Sequence, residues 1–293
     1  MSVFLGIFTY FSYIFILVAY SLKIAKYLSL PIHLRWELYP IMHEENYRYG
    51  GSYYEDMNWR TGKRQKSLLR SLLYLMRDYL YMGSYLKSHC YYWFFLYISH
   101  ISFILLIFLQ AFIIAGGLLS IKHIDVSLHG ITEYIGLICF IAGIAGNIGL
   151  LVFHLVKDEL RLYTSPFMYF GYLFYVILCL CGLVMWLYDD NPFLQYENFW
   201  RGLFTLSPVS ITPLLTCFII LINLHLIYLP FTRAIHYITR LFAFFKIRWD
   251  DEPNIKGSGL EKRILKALEQ KITWSAPHIH TGKKWNEQFK MND

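Results

Sequence analysis

Five long stretches of this chain contain no aspartate, glutamate, lysine or arginine, and they constrain its fold more than any other feature. They cover residues 1–22, 88–121, 134–156, 162–188 and 202–232. Because a helix crosses the hydrocarbon core of a bilayer with about 20 apolar residues, each stretch is long enough to span it. The charged share of 16% is also lower than soluble domains carry. The sequence therefore predicts an all-α fold, an integral membrane bundle of five transmembrane helices.

The remaining segments hold the charged residues and divide the chain into membrane and cytoplasmic parts. We expect transmembrane helices at 1–22, 88–121, 134–156, 162–188 and 202–237, a long cytoplasmic loop at 23–87, and a cytoplasmic tail at 238–293. Apolar residues recur at helical spacing over 67–86, which predicts an amphipathic helix on the membrane surface. The tail has a helix-like piece at 259–272, followed by an extended segment that contains Pro277. Neither piece can bury a core alone, so both are predicted to dock a partner.

The basic residues predict which side of the membrane each segment faces. Eleven lysines and arginines lie in 23–87, two in 157–161 and twelve from Arg233 onward, whereas Lys122 and Arg201 alone fall on the other side. Because basic residues stay cytoplasmic, the N-terminus is expected outside and the C-terminus inside a multi-pass protein of the cell's inner (cytoplasmic) membrane. The excess positive charge, +7 for the chain, is then expected on the cytoplasmic face of the membrane. It indicates anionic lipid or an acidic partner subunit and implies no nucleic acid.

Four histidines in or beside the apolar stretches suggest a redox centre. His89 and His100 are eleven residues apart on the second predicted helix, and His225 and His236 are eleven apart on the fifth. Eleven residues make roughly three helical turns, about 16 Å on nearly the same face. Ionisable residues inside a membrane are costly and usually functional, and imidazole is an axial ligand of haem iron. Two facing helices would clamp a b-type haem between such imidazoles, with His100 and His236 the favoured ligands.

Several motifs resemble one family of membrane cytochromes. The segments "LPFTRAIH" at 229–236 and "YISHISFILLIFLQAF" at 97–112 resemble helices in the gamma subunit of respiratory nitrate reductase. The loop "LRWELYPIMHEENYRYGGSYYED" and the tail "ITWSAPHIHTGKKW" are more specific. They resemble the membrane cytochrome b subunits of the Tmc- and Dsr-type complexes of sulfate reducers (TmcC-like and DsrM-like), which are related to the membrane subunit of heterodisulfide reductase. The resemblance covers nearly the whole chain.

The resemblance implies a haem b between the second and fifth helices, and two ligand pairings stay open. In the favoured pairing, His100 and His236 hold one haem on the cytoplasmic side. In the other, His89 pairs with His236 and His100 with His225, which gives two stacked haems. The family's outer haem ligands fall here on Gln110 and Phe218, neither of which is a histidine. Arg233, one turn before His236, either pairs with a haem propionate or anchors the helix at the membrane surface.

The same resemblance implies a function in respiratory electron transport. The chain would exchange electrons between membrane quinone or quinol (menaquinone type) and a cytoplasmic iron–sulfur subunit resembling heterodisulfide reductase, with a periplasmic multihaem cytochrome c as a further partner. Alignment with the related subunit assigns His129 and Glu133 to the quinone pocket. The chain has no complete catalytic site of its own, so it would serve as one subunit of an oxidoreductase. The alternative is a membrane anchor or transporter subunit without a redox centre.

The glycines of the third predicted helix form a strip along one face. Gly143, Gly146 and Gly149 recur every three residues. Small residues at this spacing let a neighbouring helix or a flat ring approach the backbone closely. Close helix packing is the favoured interpretation, and contact with a flat cofactor is the alternative.

Overall fold

A computed structural model describes residues 3–29, 57–58, 68–121, 129–236 and 255–288. Within these ranges the chain is helical, with no strand longer than an isolated bridge. Five of its helices are long and apolar enough to cross a membrane: Val3–Ser29, Cys90–Ile121, Gly130–Val156, Pro166–Tyr188 and Pro213–Phe231. The predicted all-α membrane bundle of five helices is confirmed.

The helices of the described ranges are numbered along the chain. They are α1 (Val3–Ser29), α2 (Leu68–Tyr81), α3 (Gly83–Ser88), α4 (Cys90–Ile121), α5 (His129–Val156), α6 (Asp158–Leu162), α7 (Pro166–Tyr188), α8 (Pro192–Thr205), α9 (Pro213–Tyr228), α10 (Gly259–Leu268) and α11 (Trp285–Gln288). The amphipathic helix predicted over 67–86 corresponds to α2 and α3, which are separated at Met82, where the backbone turns left-handed with φ 45°. Short 3-10 segments, Leu229–Phe231 and Arg233–Ile235, follow α9.

One predicted boundary differs from the structure. The charge-free stretch from 202 was expected to belong to a single fifth helix, but α8 ends at Thr205 and α9 begins at Pro213. The break follows from local chemistry: Leu206 adopts a left-handed conformation (φ 54°) and Ser207 N–H returns to the carbonyl of Gly202. A new helix then starts where Thr212 accepts the Leu215 N–H and Pro213 takes the first helical position.

The glycine strip is a helix-packing surface. A Cβ at Gly146 would lie 2.6 Å from the backbone nitrogen of Ser99, and one at Gly149 would lie 2.0 Å from the ring of Phe95. Both contacts come from α4, so the missing side chains let α4 and α5 cross with their backbones close together. The favoured interpretation of the strip is confirmed, and the space beside it is taken by protein atoms rather than by a flat ligand.

The chain separates into two compact units. The first contains residues 1–19 and 76–235, and therefore α3–α9 with the beginning of α1 and the end of α2. Its core includes buried residues from α4, α5, α7, α8 and α9, among them Ile113, Phe140, Leu178, Phe199 and Phe218. Hydrogen bonds tie three of these helices together: Tyr175 donates to the Ser102 hydroxyl, which donates to the carbonyl of Cys139.

The second unit contains residues 20–75 and 236–293. Its tail portion begins with α10, which Ser258 caps by accepting the Glu261 N–H. The following segment, expected to be extended and unable to order itself, makes its own turns. Gln288 accepts the N–H of His280 and donates to the carbonyl of His278, and Ile272 pairs with Lys283 and Gly282. Residues 270–288 are therefore ordered by their own hydrogen bonds, because polar side chains there satisfy the backbone in place of a large apolar core.

Candidate functional site

The first unit has two ends, which we name by the short helices found there. The "α8 end" carries α8, which joins α7 to α9. The "α6 end" carries α6, which joins α5 to α7. Phe95 and Ser99, near the start of α4, pack beside Gly149 and Gly146, near the end of α5, so α4 starts at the α6 end. The candidate residues are described below by their distance from these ends.

His100 lies on α4 and is held in one tautomer. Its Nδ1 is 3.0 Å from the carbonyl oxygen of Leu96, one turn earlier on the same helix. Because a carbonyl only accepts, Nδ1 carries the proton and Nε2 carries the lone pair. The imidazole is half-buried within the bundle. This arrangement has the outer hydrogen bond that metal-bound imidazoles usually make, and the residue type fits an axial haem ligand.

His225 lies near the end of α9 in an aromatic enclosure. Its side chain is 6% exposed, and neither ring nitrogen has a hydrogen-bond partner among the residues that the structure describes. Four rings surround it, with centroids 6.2 Å away for Phe103, 5.7 Å for Phe174, 5.5 Å for Tyr175 and 6.4 Å for Tyr228. A buried imidazole without partners is costly, so this position calls for an explanation that packing alone does not give.

The two remaining predicted ligands differ in surroundings. His89 is exposed in the single-residue gap between α3 and α4. His236 is half-buried and belongs to the second unit, so its pairing with His100 stays a prediction. Arg233 is exposed in a 3-10 segment and is close enough to His154 and Tyr172 for its positive charge to act on both.

A cluster around His154 was not predicted. His154 is buried near the end of α5, and its Nδ1 lies 2.6 Å from the hydroxyl oxygen of Thr164. Since the Thr164 hydroxyl donates to the Leu160 carbonyl, Nδ1 donates and Nε2 accepts. The hydroxyls of Tyr92, 3.4 Å away, and Tyr172, 3.3 Å away, face Nε2. The sequence analysis missed this cluster because its members come from α4, α5 and α7, whose relative rotation no spacing reveals.

At the α8 end, one tyrosine connects the two positions where the resemblance places outer haem ligands. The Tyr196 hydroxyl donates to Oε1 of Gln110 at 2.9 Å, and the Tyr196 ring meets the ring of Phe218 edge-on at 6.2 Å. Tyr13 of α1 donates to the same oxygen of Gln110 at 3.0 Å. The volume between Gln110 and Phe218 is therefore occupied by a side chain of α8.

Further residues of α8 fill this end of the bundle. Phe193 is fully buried and packs on Gly136, where a Cβ would lie 2.3 Å from its ring. The Glu197 carboxyl is 7% exposed and lies against the backbone of Gly116, where a Cβ would be 2.6 Å from its Cδ. Sequence reasoning missed this helix. The buried positions Phe193, Tyr196, Trp200 and Leu203 follow the three- and four-residue spacing that would have revealed it.

The two residues predicted for a quinone pocket stay a prediction. Glu133 is half-buried in the second turn of α5. His129 begins that helix, but its side chain lies outside the described residues. The whole loop signature at 34–56 also lies outside them.

Among the described residues, no three histidine, cysteine, aspartate or glutamate side chains converge to hold a metal ion. The cysteines are unpaired: Cys90, Cys139, Cys179, Cys181 and Cys217. A protein-only metal centre needs at least three such ligands, whereas haem iron takes two from the protein because its porphyrin supplies four. The lack of such a cluster among the described residues therefore argues against a zinc-like site there, and it does not test the haem hypothesis.

Comparisons with known proteins add no relative. No protein-family model matches the chain, and neither a curated protein nor a solved structure matches it. The fold class therefore rests on the helices described above, and a functional assignment rests on the residues of the chain.

Proposed function

We propose that this chain is a haem b-containing membrane subunit of a respiratory oxidoreductase complex. It would exchange electrons between menaquinone or its quinol and a cytoplasmic iron–sulfur subunit resembling heterodisulfide reductase. The observation that carries the proposal is the Nδ1–H···O=C bond from His100 to Leu96. Imidazoles that bind metals almost always donate their other nitrogen in this way, which orients the ring and raises its basicity. An orienting bond inside a transmembrane helix supports the assignment of His100 as an axial ligand.

The contrast between His100 and His225 supports the one-haem pairing. In the two-haem pairing His225 would be a ligand, and its Nδ1 would be expected to have an orienting partner like that of His100. It has none, and its ring is enclosed by four aromatic side chains. His236 is therefore proposed as the second ligand of the His100 haem, with the haem supplying one-electron transfer between quinol and the soluble partner.

The α8 end supports the absence of an outer haem. The side chain of Tyr196 bridges Gln110 and Phe218, so a porphyrin between those positions would have to displace it. Close-packed interiors do not accommodate such an insertion without large rearrangement. We therefore propose a single haem on the cytoplasmic side. We also propose that the exposed side chain of Arg233 pairs with one of its propionates.

The buried amides argue against a transport pathway. Asn147 donates to the carbonyl of Gly143 on its own helix, and Asn223 donates to the Thr9 hydroxyl on α1. Gln110 accepts from two tyrosines. Each of these side chains makes a hydrogen bond within the bundle, as packing residues do, while Nε2 of Gln110 and Oδ1 of Asn223 have no partner among the described residues. We prefer the redox proposal over a transporter because of the bonds that are made.

Haem quantification on the purified full-length chain tests the proposal. We expect about one b-type haem per chain by pyridine haemochrome, because one bis-imidazole site is proposed. His100→Ala should lose the low-spin spectrum. His89→Ala, which changes an exposed histidine just before the same helix, should keep it. A chain that binds no haem when expressed with its partners, or a His100→Ala variant with an unchanged spectrum, would contradict the proposal.

A further inference from the structure

The starting observation is the unexplained imidazole of His225. It is buried and lies near the end of a transmembrane helix, and within the described part of the chain neither of its nitrogens has a hydrogen-bond partner. Buried polar groups in folded proteins are nearly always satisfied, and leaving both nitrogens of a histidine empty would be strongly disfavoured. The aromatic rings around it supply no acceptor or donor at hydrogen-bond distance. A ligand that bonds to the imidazole would remove this cost.

Aromatic rings form a continuous seam from His225 to the exposed surface of α7. We call Phe167, Phe170, Phe174 and Tyr228 the α7–α9 seam. Tyr228 lies at its centre, with ring centroids 5.0 Å from Phe167, 5.5 Å from Phe170 and 5.7 Å from Phe174. Phe174 contacts Phe170 on one side and His225 on the other, at 5.6 Å and 5.7 Å. Phe167 and Phe170 are 46% and 53% exposed, so the seam runs from the surface of a transmembrane helix to the buried imidazole.

The centre of the seam depends on a glycine. The Tyr228 hydroxyl donates to the carbonyl of Phe167 at 3.1 Å. It reaches that carbonyl across Gly171, where a Cβ would be only 2.8 Å from the hydroxyl oxygen. Any side chain at this position would therefore displace Tyr228. Since Tyr228 touches both His225 and the exposed phenylalanines, a movement of its ring would change access between them.

We propose that the α7–α9 seam binds the head group of a membrane quinone, with His225 as the residue that bonds to it. The flat ring of a quinone matches walls made of aromatic faces. A neutral imidazole has one donor and one acceptor nitrogen, so it donates to a quinone carbonyl and accepts from a quinol hydroxyl. The entrance lies at exposed phenylalanines of a helix that is long and apolar enough to cross a membrane, which suits a ligand dissolved in the membrane. The inference rests on the proposed redox function for the identity of the ligand, and it assigns the head group to α7 and α9 rather than to His129 and Glu133.

Binding of menadione, a naphthoquinone head group without its tail, tests the proposal on the purified full-length chain. Isothermal titration should show saturable binding to the wild type. His225→Phe keeps the aromatic volume but removes both nitrogens, and it should raise the Kd by about tenfold or more. His280→Phe makes the same change at an exposed histidine of the tail and should leave the Kd within about twofold. An unchanged Kd in His225→Phe, or no binding to the wild type, would overturn the proposal.

The visible spectrum of the same samples separates the two proposals. A His225→Phe protein with its full haem signal and weakened menadione binding supports the quinone site. Loss of the haem signal in that variant would make His225 an axial ligand and overturn the quinone assignment, while the redox function survives. A wild type without haem whose menadione binding still depends on His225 would contradict the haem proposal and support the seam.

Gly171→Ala provides a second, independent test. This change leaves His225 in place and forces the Tyr228 hydroxyl away from the Phe167 carbonyl. We expect about a threefold or larger rise in the Kd for menadione, because Tyr228 forms part of the wall beside His225. Gly130→Ala is the matched control, since a Cβ there meets nothing within 4 Å. If His225→Phe does not fold, an unchanged Kd in Gly171→Ala contradicts the proposal.

Discussion

The α8 end and the α6 end of the bundle differ in what fills them, and each keeps buried polar atoms that have no hydrogen-bond partner among the described residues. At the α8 end these include Nε2 of Gln110 and Nε1 of Trp200. At the α8 end, Tyr196 and Tyr13 both donate to Gln110, and aromatic side chains of α8 fill the space between the helices. Toward the α6 end, a hydrogen bond to Leu96 orients His100, and neither nitrogen of His225 has a partner among the described residues. A filled end stabilises the bundle, whereas a buried imidazole without hydrogen bonds is costly unless a ligand binds it. We therefore expect the α8 end to matter for folding, and we propose that ligands bind toward the α6 end.

Cysteine labelling tests which end of the bundle faces the cytoplasm, and its expected result is all-or-none. Because 25 of the 27 basic residues are predicted on one side, we expect residues 122–130 outside and the tail in the cytoplasm. In a chain lacking its native cysteines, an impermeant maleimide added from outside should label Asp125→Cys fully and Ser275→Cys not at all. The reverse labelling would mean that the topology is inverted and that the proposed haem lies on the outer side of the membrane.

Phe193→Ala should be the most destabilising single change at the α8 end. Phe193 is fully buried against Gly136 and Phe140, and removing its ring leaves a large cavity. The free energy of unfolding should fall by about 3–5 kcal/mol, measured by denaturant titration in detergent. Leu194→Ala, on the exposed face of the same helix, is the control and should change it by less than about 1 kcal/mol. Equal effects of the two would mean that α8 does not fill the bundle.

Gly146→Ala should weaken the crossing of α4 and α5, which supports both ends. The added Cβ would lie 2.6 Å from the Ser99 backbone nitrogen, and backbone cannot move aside as a flexible side chain can. We expect a loss of about 1–3 kcal/mol in thermal or denaturant unfolding. Gly130→Ala, with nothing within 4 Å of its new Cβ, should be neutral or slightly stabilising because alanine favours helix. A neutral Gly146→Ala would show that the helices cross less closely than described.

Tyr196→Phe should have the smallest effect of the series. It removes one hydrogen bond to Gln110 while Tyr13 keeps the other, and the ring remains against Phe218. The expected cost is about 1 kcal/mol of unfolding free energy. Tyr188→Phe, at an exposed position, should cost less. A loss as large as that of Phe193→Ala would mean that the polar contact, rather than aromatic packing, holds the α8 end together.

The sequence predicts the membrane helices well and the two ends poorly, for a physical reason. The requirement for about 20 apolar residues is local, so each charge-free stretch indicates its own helix. The same criterion wrongly joined residues 202–205 to α9. These residues are the end of α8, a short amphipathic helix whose charged residues lie before 202, so its last turn has the same charge-free composition as α9. His100 and His225 were found because imidazoles are rare in such stretches. The partners of His154 and the rings around His225 come from distant segments, and only the packed bundle brings them together.

The ligation of haem iron tests the central claim most directly. Low-temperature electron paramagnetic resonance of the oxidised, purified chain should show a bis-imidazole low-spin signal in the wild type. His225→Ala should keep this signal at full strength, and His236→Ala should lose it, because the proposed haem is held by His100 and His236. Loss of about half the signal in His225→Ala would indicate two stacked haems. An unchanged signal in His236→Ala would contradict both pairings and leave His236 as a surface residue beside Arg233.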